Sequence, residues 1–225
     1  MFFSKEISKY EVINDLDSDL VAFYRVIQNH LEEFLKQFKW LLTSREWFDD
    51  WNNQLENRGL TDIQKAARYY YVQRLAFGGH VNKRNFGVSH ERPPRINLLR
   101  LEEELSQVHL RLSRVVIENL SWDSFITRYD RPSVFFYLDP PYYQAPCYKH
   151  NFYSLDDYGK IQDILNCIQG KFILSLNDHP DIRTIFNDFK IIPVTLNYSI
   201  SKDKNTIGKE LIITNCGVKT AGKRG

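Results

Sequence analysis

Cysteine is scarce in this chain: Cys147, Cys167 and Cys216 are odd in number and widely spaced, which excludes a disulfide framework and leaves no zinc-type pair. No apolar run approaches the roughly 18 residues of a membrane span, and the opening Met-Phe-Phe-Ser-Lys lacks the long apolar region of a secretory leader. A cytoplasmic protein with reduced thiols and no membrane partner is expected. The six histidines show no metal-ligand spacing, so no metal is expected either. Charge of one sign is also missing. A net charge of +2 and a pI near 8.3 identify no partner, so any nucleic-acid reading must rest on local patches. With 43% hydrophobic and 26% charged residues, the chain has an ordinary globular composition, enough for one α/β domain with an insertion or for two small domains.

Chemistry concentrates at residues 134–142, Val-Phe-Phe-Tyr-Leu-Asp-Pro-Pro-Tyr. The apolar run reads as a fully buried strand, and it must end at Asp139 because the prolines that follow cannot donate to a sheet ladder. The end of that strand therefore presents a carboxylate, a rigid backbone and an aromatic ring. In open α/β sheets ligands sit at this edge, although Asp-Pro-Pro alone is also a common turn.

Before it, Tyr10 to Asn14 reads as a short strand with Asp15-Leu16-Asp17 at its end. Asp15 there is either a turn or cap residue or an acceptor for ribose hydroxyls. Leu20, Phe23, Ile27, Leu31, Phe34 and Phe38 follow at helical spacing. Residues 43–118 read as helical almost throughout, with capping-box patterns at Thr43 and Thr61 and one apolar helix face formed by Leu98, Leu101, Leu105, Val108, Leu112 and Val115. Between these helices lies the most basic stretch. Residues 83–100 hold five Lys or Arg against one acid, Glu91, on a loop rich in glycine, asparagine and proline. Asn82, Lys83, Arg84, Asn85, Arg92 and Arg95 there suit phosphate and base-edge contacts, as they also suit a merely solvated loop. After Asp139, helices and strands alternate. A helix opens at Ser154, a strand spans Phe172 to Leu176 and ends in Asn177-Asp178-His179-Pro180, and a short helix follows. Strands from Lys190 and Lys209 are joined by a short loop, so they should pair antiparallel. The tail from Gly217 is expected to fray.

Asp139-Pro140-Pro141-Tyr142 resembles the D-P-P-Y motif of the DNA adenine methyltransferases of the D12 class, including phage enzymes. Residues 11–17 are similar to their second motif, Ser121-Trp122 to the segment that cradles the cofactor's adenine, and Phe77-Gly78-Gly79 with Asn85-Phe86-Gly87 to their target-recognition insertion. The resemblance runs from about Phe2 to Asn215. It implies transfer of a methyl group from S-adenosylmethionine to the N6 amino group of adenine in double-stranded DNA. It further implies that Asp139, Pro140 and Tyr142 act on the base and that Asp15, Ser121 and Trp122 hold the cofactor. The setting it implies is restriction-modification, or a prophage remnant.

The implied fold is α/β, a Rossmann-like methyltransferase sheet with a helical target-recognition insertion. Residues 1–42 would begin the catalytic domain, 43–118 form the insertion, 119–216 complete the catalytic domain and 217–225 form the tail. One part departs from the pattern. Relatives carry a glycine-rich F-x-G-x-G loop after their first strand, whereas the first glycine here is Gly59. The sheet is therefore expected to be incomplete, with its first strand missing and the donor site short of its glycine wall. Three readings stay open: an inactive remnant, a misassigned start codon, or a DNA-binding module without catalysis.

Overall fold

The structure, a computed structural model, describes residues 2–55, 59–76, 85–87, 95–144, 154–198 and 206–217. Two compact units divide it, Met1–Trp122 and Asp123–Gly225.

The first unit holds β1 (Glu11–Asn14), α1 (Ser18–Asn29), α2 (Leu31–Lys36), α3 (Arg45–Gln54), α4 (Asp62–Leu75), α5 (Leu101–Leu112) and β2 (Val115–Glu118). β1 and β2 pair in parallel, from Glu11 with Val115 to Asn14 with Glu118. The helices close over an aromatic core in which Phe23 stacks on Tyr70 at 5.4 Å and Trp51 meets Tyr71 edge-on at 5.0 Å. Their starts follow from local chemistry. Thr61 and Gln64 form a capping box at α4, and the Asp17 carboxylate accepts from Asp19 N–H at α1. At α3 the cap is Ser44, one residue later than the pattern suggests.

Two expectations need correction here. The apolar pattern from Leu20 to Phe38 is broken at His30, whose φ of −139° and ψ of 37° lie outside the helix, so α1 and α2 are separate. The helix face read through Val115 ends at Leu112, and residues 115–118 form β2 inside the stretch read as helical. Val115, Val116 and Ile117 are β-branched, which disfavours helix and suits a paired strand.

Glu11 organises the start of the chain. Its buried carboxylate accepts from Arg111 Nη1 at 2.5 Å, from Ser8 N–H at 3.0 Å and from Lys5 Nζ. Arg111 in turn lies over the Phe2 ring, 4.0 Å from its centre, and donates to the Phe2 carbonyl. Burial pushes the Glu11 carboxyl up, but the hydrogen bonds from Arg111, Lys5 and Ser8 outweigh it and hold the group near 2, below its ordinary 4.5.

The second unit holds α6 (Trp122–Tyr129, entering from the last residue of the first unit), β3 (Phe135–Leu138), α7 (Leu155–Cys167), β4 (Lys171–Asn177), α8 (Pro180–Ile185), β5 (Lys190–Tyr198) and β6 (Thr206–Thr214). The sheet order is β3-β4-β6-β5, with β3 and β4 parallel and the β4-β6 and β6-β5 pairs antiparallel. The antiparallel pairing of β5 with β6 is the one expected from their closeness in sequence. One face, with Phe136, Phe172, Leu174, Leu176, Leu211 and Ile213, is buried. Phe125 of α6 packs edge-on to Phe136, and Phe189 edge-on to Phe172.

β3 is not the fully buried strand its composition suggests. It lies at the sheet edge, with Phe136 buried but Phe135 55% and Tyr137 43% exposed. An unbroken apolar run does not reveal which of its alternating faces is covered.

Gly170 enters β4 where the backbones crowd. A Cβ there would lie 2.8 Å from the Val134 carbonyl oxygen, and the Asp130 carboxylate accepts from the N–H groups of Gln169 and Gly170. Gly170→Ala is expected to destabilise the fold by about 2 kcal/mol, as overpacking does, seen as a lower denaturant midpoint.

Glu11→Gln should cost about 3 kcal/mol at neutral pH, as breaking a buried ion pair does. The folded-state value lies below the unfolded one, so this stabilisation is complete above pH of about 4.5 and is lost as pH falls through about 2. Urea melts of both proteins should therefore converge on acidification. A difference that persists unchanged at the acid end would contradict this account.

Candidate functional site

The segment after β3 cannot hold itself by sheet bonds, because Pro140 and Pro141 have no N–H. It is held from the side instead. The Asn177 side chain, at the end of β4, accepts from Tyr143 N–H at 2.8 Å and donates to the Tyr143 carbonyl at 3.2 Å. Tyr158 of α7 donates its hydroxyl to the Pro141 carbonyl at 3.0 Å. The Tyr143 ring stands edge-on to Tyr158 at 5.7 Å and to His179 at 4.9 Å. Gln144 then turns the chain through a positive φ of 61°.

Asp139 and Tyr142 occupy the mouth of this clamp. The Tyr142 hydroxyl lies 3.4 Å from Ser175 Oγ, on β4. Asp139 is open to solvent, yet enough protein surrounds its carboxyl that loss of water, followed by the negative charge of Glu210, raises its pKa. Tyr142 is driven well above the ordinary phenol range by burial and by the carboxylates of Glu210 and Asp139. Tyr137 rises too, through burial first and then the charges of Asp139 and Glu210. Burial and the charge of Asp157 push Tyr158 up to about 12. The result is a proton-retentive acidic edge bearing one half-buried ring.

In the first unit, Asp15 follows β1. Its carboxylate accepts from Asp17 N–H at 2.8 Å, which closes the turn into α1, while the helix cap itself is Asp17. Parallel pairing brings residues 119–122 to the same edge. Asn14 exchanges two bonds with Leu120, at 2.9 and 3.0 Å, and Asn119 donates to the Asp15 carbonyl at 2.8 Å. Half-buried Ser121 and Trp122 continue from there into α6.

Of the basic-loop residues, Asn82, Lys83, Arg84 and Arg92 lie outside the described residues, while Asn85 and Arg95 are exposed. Phe86, beside Asn85, is held in place. It bridges to Ala76, packs on Phe48 at 5.4 Å and carries the Arg45 guanidinium 5.1 Å from its ring centre. Among the described residues no cluster of His, Cys, Asp or Glu could hold a metal ion, and no helix is long and apolar enough to cross a membrane. Tyr158 and Glu210 are residues beside the candidate site that sequence reasoning missed. Tyr158 reads as an ordinary apolar helix position, and a lone Glu in a strand carries no signal. Ser175 and Asn177 were visible in the sequence as part of a strand end that resembles the one after the family's catalytic motif.

Residues 1–200 match the family profile described as D12 class N6 adenine-specific DNA methyltransferase. The chain is 26% identical over 231 residues to the Type II methyltransferase M1.LlaDCHI of Lactococcus lactis subsp. cremoris, an alignment covering 92% of this chain and 79% of that protein. It is 20% identical over 214 residues to the Type II methyltransferase M.CviBI of Paramecium bursaria Chlorella virus NC1A, covering 93% of this chain and 80% of the relative.

Asn177→Ala removes both side-chain bonds to Tyr143 and should cost about 2 kcal/mol, since it leaves two backbone groups without these partners. Hydrogen exchange at the Tyr143 amide should accelerate in step with that loss. Unchanged protection would show that something else holds the segment.

Proposed function

We propose a division of labour for a chain that belongs to the D12 class N6 adenine-specific DNA methyltransferases: Asp139, Pro140 and Tyr142 hold the adenine, and Asp15, Ser121 and Trp122 hold the methyl donor. The observation that carries this reading is the clamped segment at the end of β3, which offers a carboxylate, a rigid carbonyl and a ring together.

The chemistry explains the need for rigidity. The lone pair of adenine N6 is delocalised into its ring and is a poor nucleophile. Accepting both amino hydrogens, one on the Asp139 carboxylate and one on the Pro140 carbonyl, makes the nitrogen more tetrahedral and frees the pair. The base must first leave the duplex, and Tyr142 replaces its lost stacking. Asp139 holds protons more tightly than an ordinary aspartate, which suits it to take the proton that N6 loses.

S-adenosylmethionine, when bound, supplies a methyl group already activated on a sulfonium, so the protein's task is alignment. A carboxylate at Asp15 and an aromatic residue at Trp122, brought to one edge by parallel strands, fit its ribose and adenine. No glycine of the sequence precedes Gly59 to wall its methionine end. For the fold, we place a Rossmann-like sheet with its first strand absent from these residues. Support comes from each sheet taken alone: β3 ends the four-stranded sheet with Phe135 and Tyr137 exposed, and β1 has only β2 as a partner among the described residues.

Double-stranded DNA is met by the helical part of residues 43–118, with Asn82, Lys83, Arg84, Asn85, Arg92 and Arg95 on phosphates and base edges. Support for that assignment is the excess of basic residues in this stretch of the sequence and the packing of Phe86, next to Asn85, on Phe48. Restriction-modification is the setting we infer, since both relatives are named Type II methyltransferases.

Incubating the purified chain with S-adenosylmethionine and unmethylated bacterial DNA, then digesting to nucleosides for mass spectrometry, should reveal N6-methyladenine. Asp139→Ala should lower its yield about a hundredfold or more, the usual loss for a preorganised acceptor, with DNA binding retained in a gel-shift assay. Methyl groups on cytosine would overturn the reading. Binding of DNA with no methylation at all would favour the DNA-binding module.

A further inference from the structure

Strand β6 carries Leu211, Ile212 and Ile213 in succession, yet begins its contact with β4 at a carboxylate, Glu210. Glu210 pairs directly with Asn177 on β4 and with Val194 on β5, so its side chain stands on the same sheet face as Asn177 and Ser175. These are the two β4 residues that touch the segment after Asp139. The Tyr142 hydroxyl lies 3.4 Å from Ser175 Oγ, and the Glu210 carboxylate on that same face helps to raise its pKa. As an acceptor for that hydroxyl a carboxylate outranks a serine oxygen, because it is charged.

We propose that Glu210 is a positioning residue of the adenine site, holding the Tyr142 hydroxyl so that the ring keeps the angle at which it stacks on the base. The proposal rests on the base-holding role of Tyr142 given above. A tyrosine ring on a proline-bounded turn is fixed at its backbone end by Asn177 acting through Tyr143, and its far end needs a second anchor. Glu210 supplies it from the neighbouring strand, where the sheet fixes its position. Its charge is also felt by Asp139 and Tyr137, which places it beside the whole acidic edge and not beside Tyr142 alone.

The test uses the full chain labelled with [13Cζ]tyrosine, the Tyr142 resonance being assigned among the 13 tyrosines by its absence in Tyr142→Phe. At neutral pH, Glu210→Ala should shift the Tyr142 resonance and leave that of Tyr158 in place. Glu210→Gln, whose amide oxygen still accepts, should move it part-way in the same direction. A Tyr142 resonance that does not move in either variant overturns the proposal. The second arm is kinetic. Glu210→Ala should raise KM for DNA about tenfold with kcat nearly unchanged, the mark of lost uniform binding and the size of one charged hydrogen bond. Glu210→Gln should recover most of it, and the Glu210→Ala, Tyr142→Phe double variant should be no worse than Glu210→Ala. Additive losses in the double variant would overturn the proposal. A wild-type chain that methylates nothing would count against the reading of function, while the resonance shift decides the role of Glu210 by itself.

Discussion

The site depends on one constraint: two consecutive prolines deprive the segment after Asp139 of its ladder bonds, so its shape has to be imposed from outside. Asn177 imposes it. One carboxamide satisfies both the N–H and the carbonyl of Tyr143, an arrangement that fixes the peptide in distance and in rotation. Tyr158 does the same for the Pro141 carbonyl from α7. The stiffness that prolines bring to the backbone thus becomes a defined position only because β4 and α7 supply the missing partners.

Electrostatics at this edge follow from the same crowding. Asp139 and the Tyr142 and Tyr137 hydroxyls gather where water is partly excluded and feel the charge of Glu210, and their protons are held more firmly than in free solution. For a reaction that ends by releasing a proton from an amino group, an acceptor with raised proton affinity is useful. The opposite electrostatics govern Glu11, where two cations and a backbone N–H keep a buried carboxylate ionised and tie the first residues of the chain to α5. One carboxylate is left with a raised proton affinity, and the other holds the chain together.

Local signals served well where the chemistry is local. The cap at Thr61, the antiparallel return of β5 and β6 and the end of β3 at Asp139 all follow from short-range rules. They failed where identical residue types serve two structures. Val115 continues the helical spacing of Leu101, Leu105 and Leu112 and yet begins a strand, because its β-branched neighbours find a partner in β1. His30 breaks a helix with nothing in its identity to announce it. Phe135 and Tyr137 look like core and are exposed, since exposure depends on what a sheet edge meets and not on the strand's own composition.

By itself the sequence determined the D-P-P-Y segment, its place at a strand end and the family to which the chain belongs, because prolines, carboxylates and their order are properties of the chain. Only the tertiary structure decided which groups hold that segment. Ser175, Asn177 and Tyr158 lie outside that segment in sequence, and are brought to it by a parallel strand and a helix crossover. Strand register sets those contacts, and register is a relation between distant segments that no single segment records.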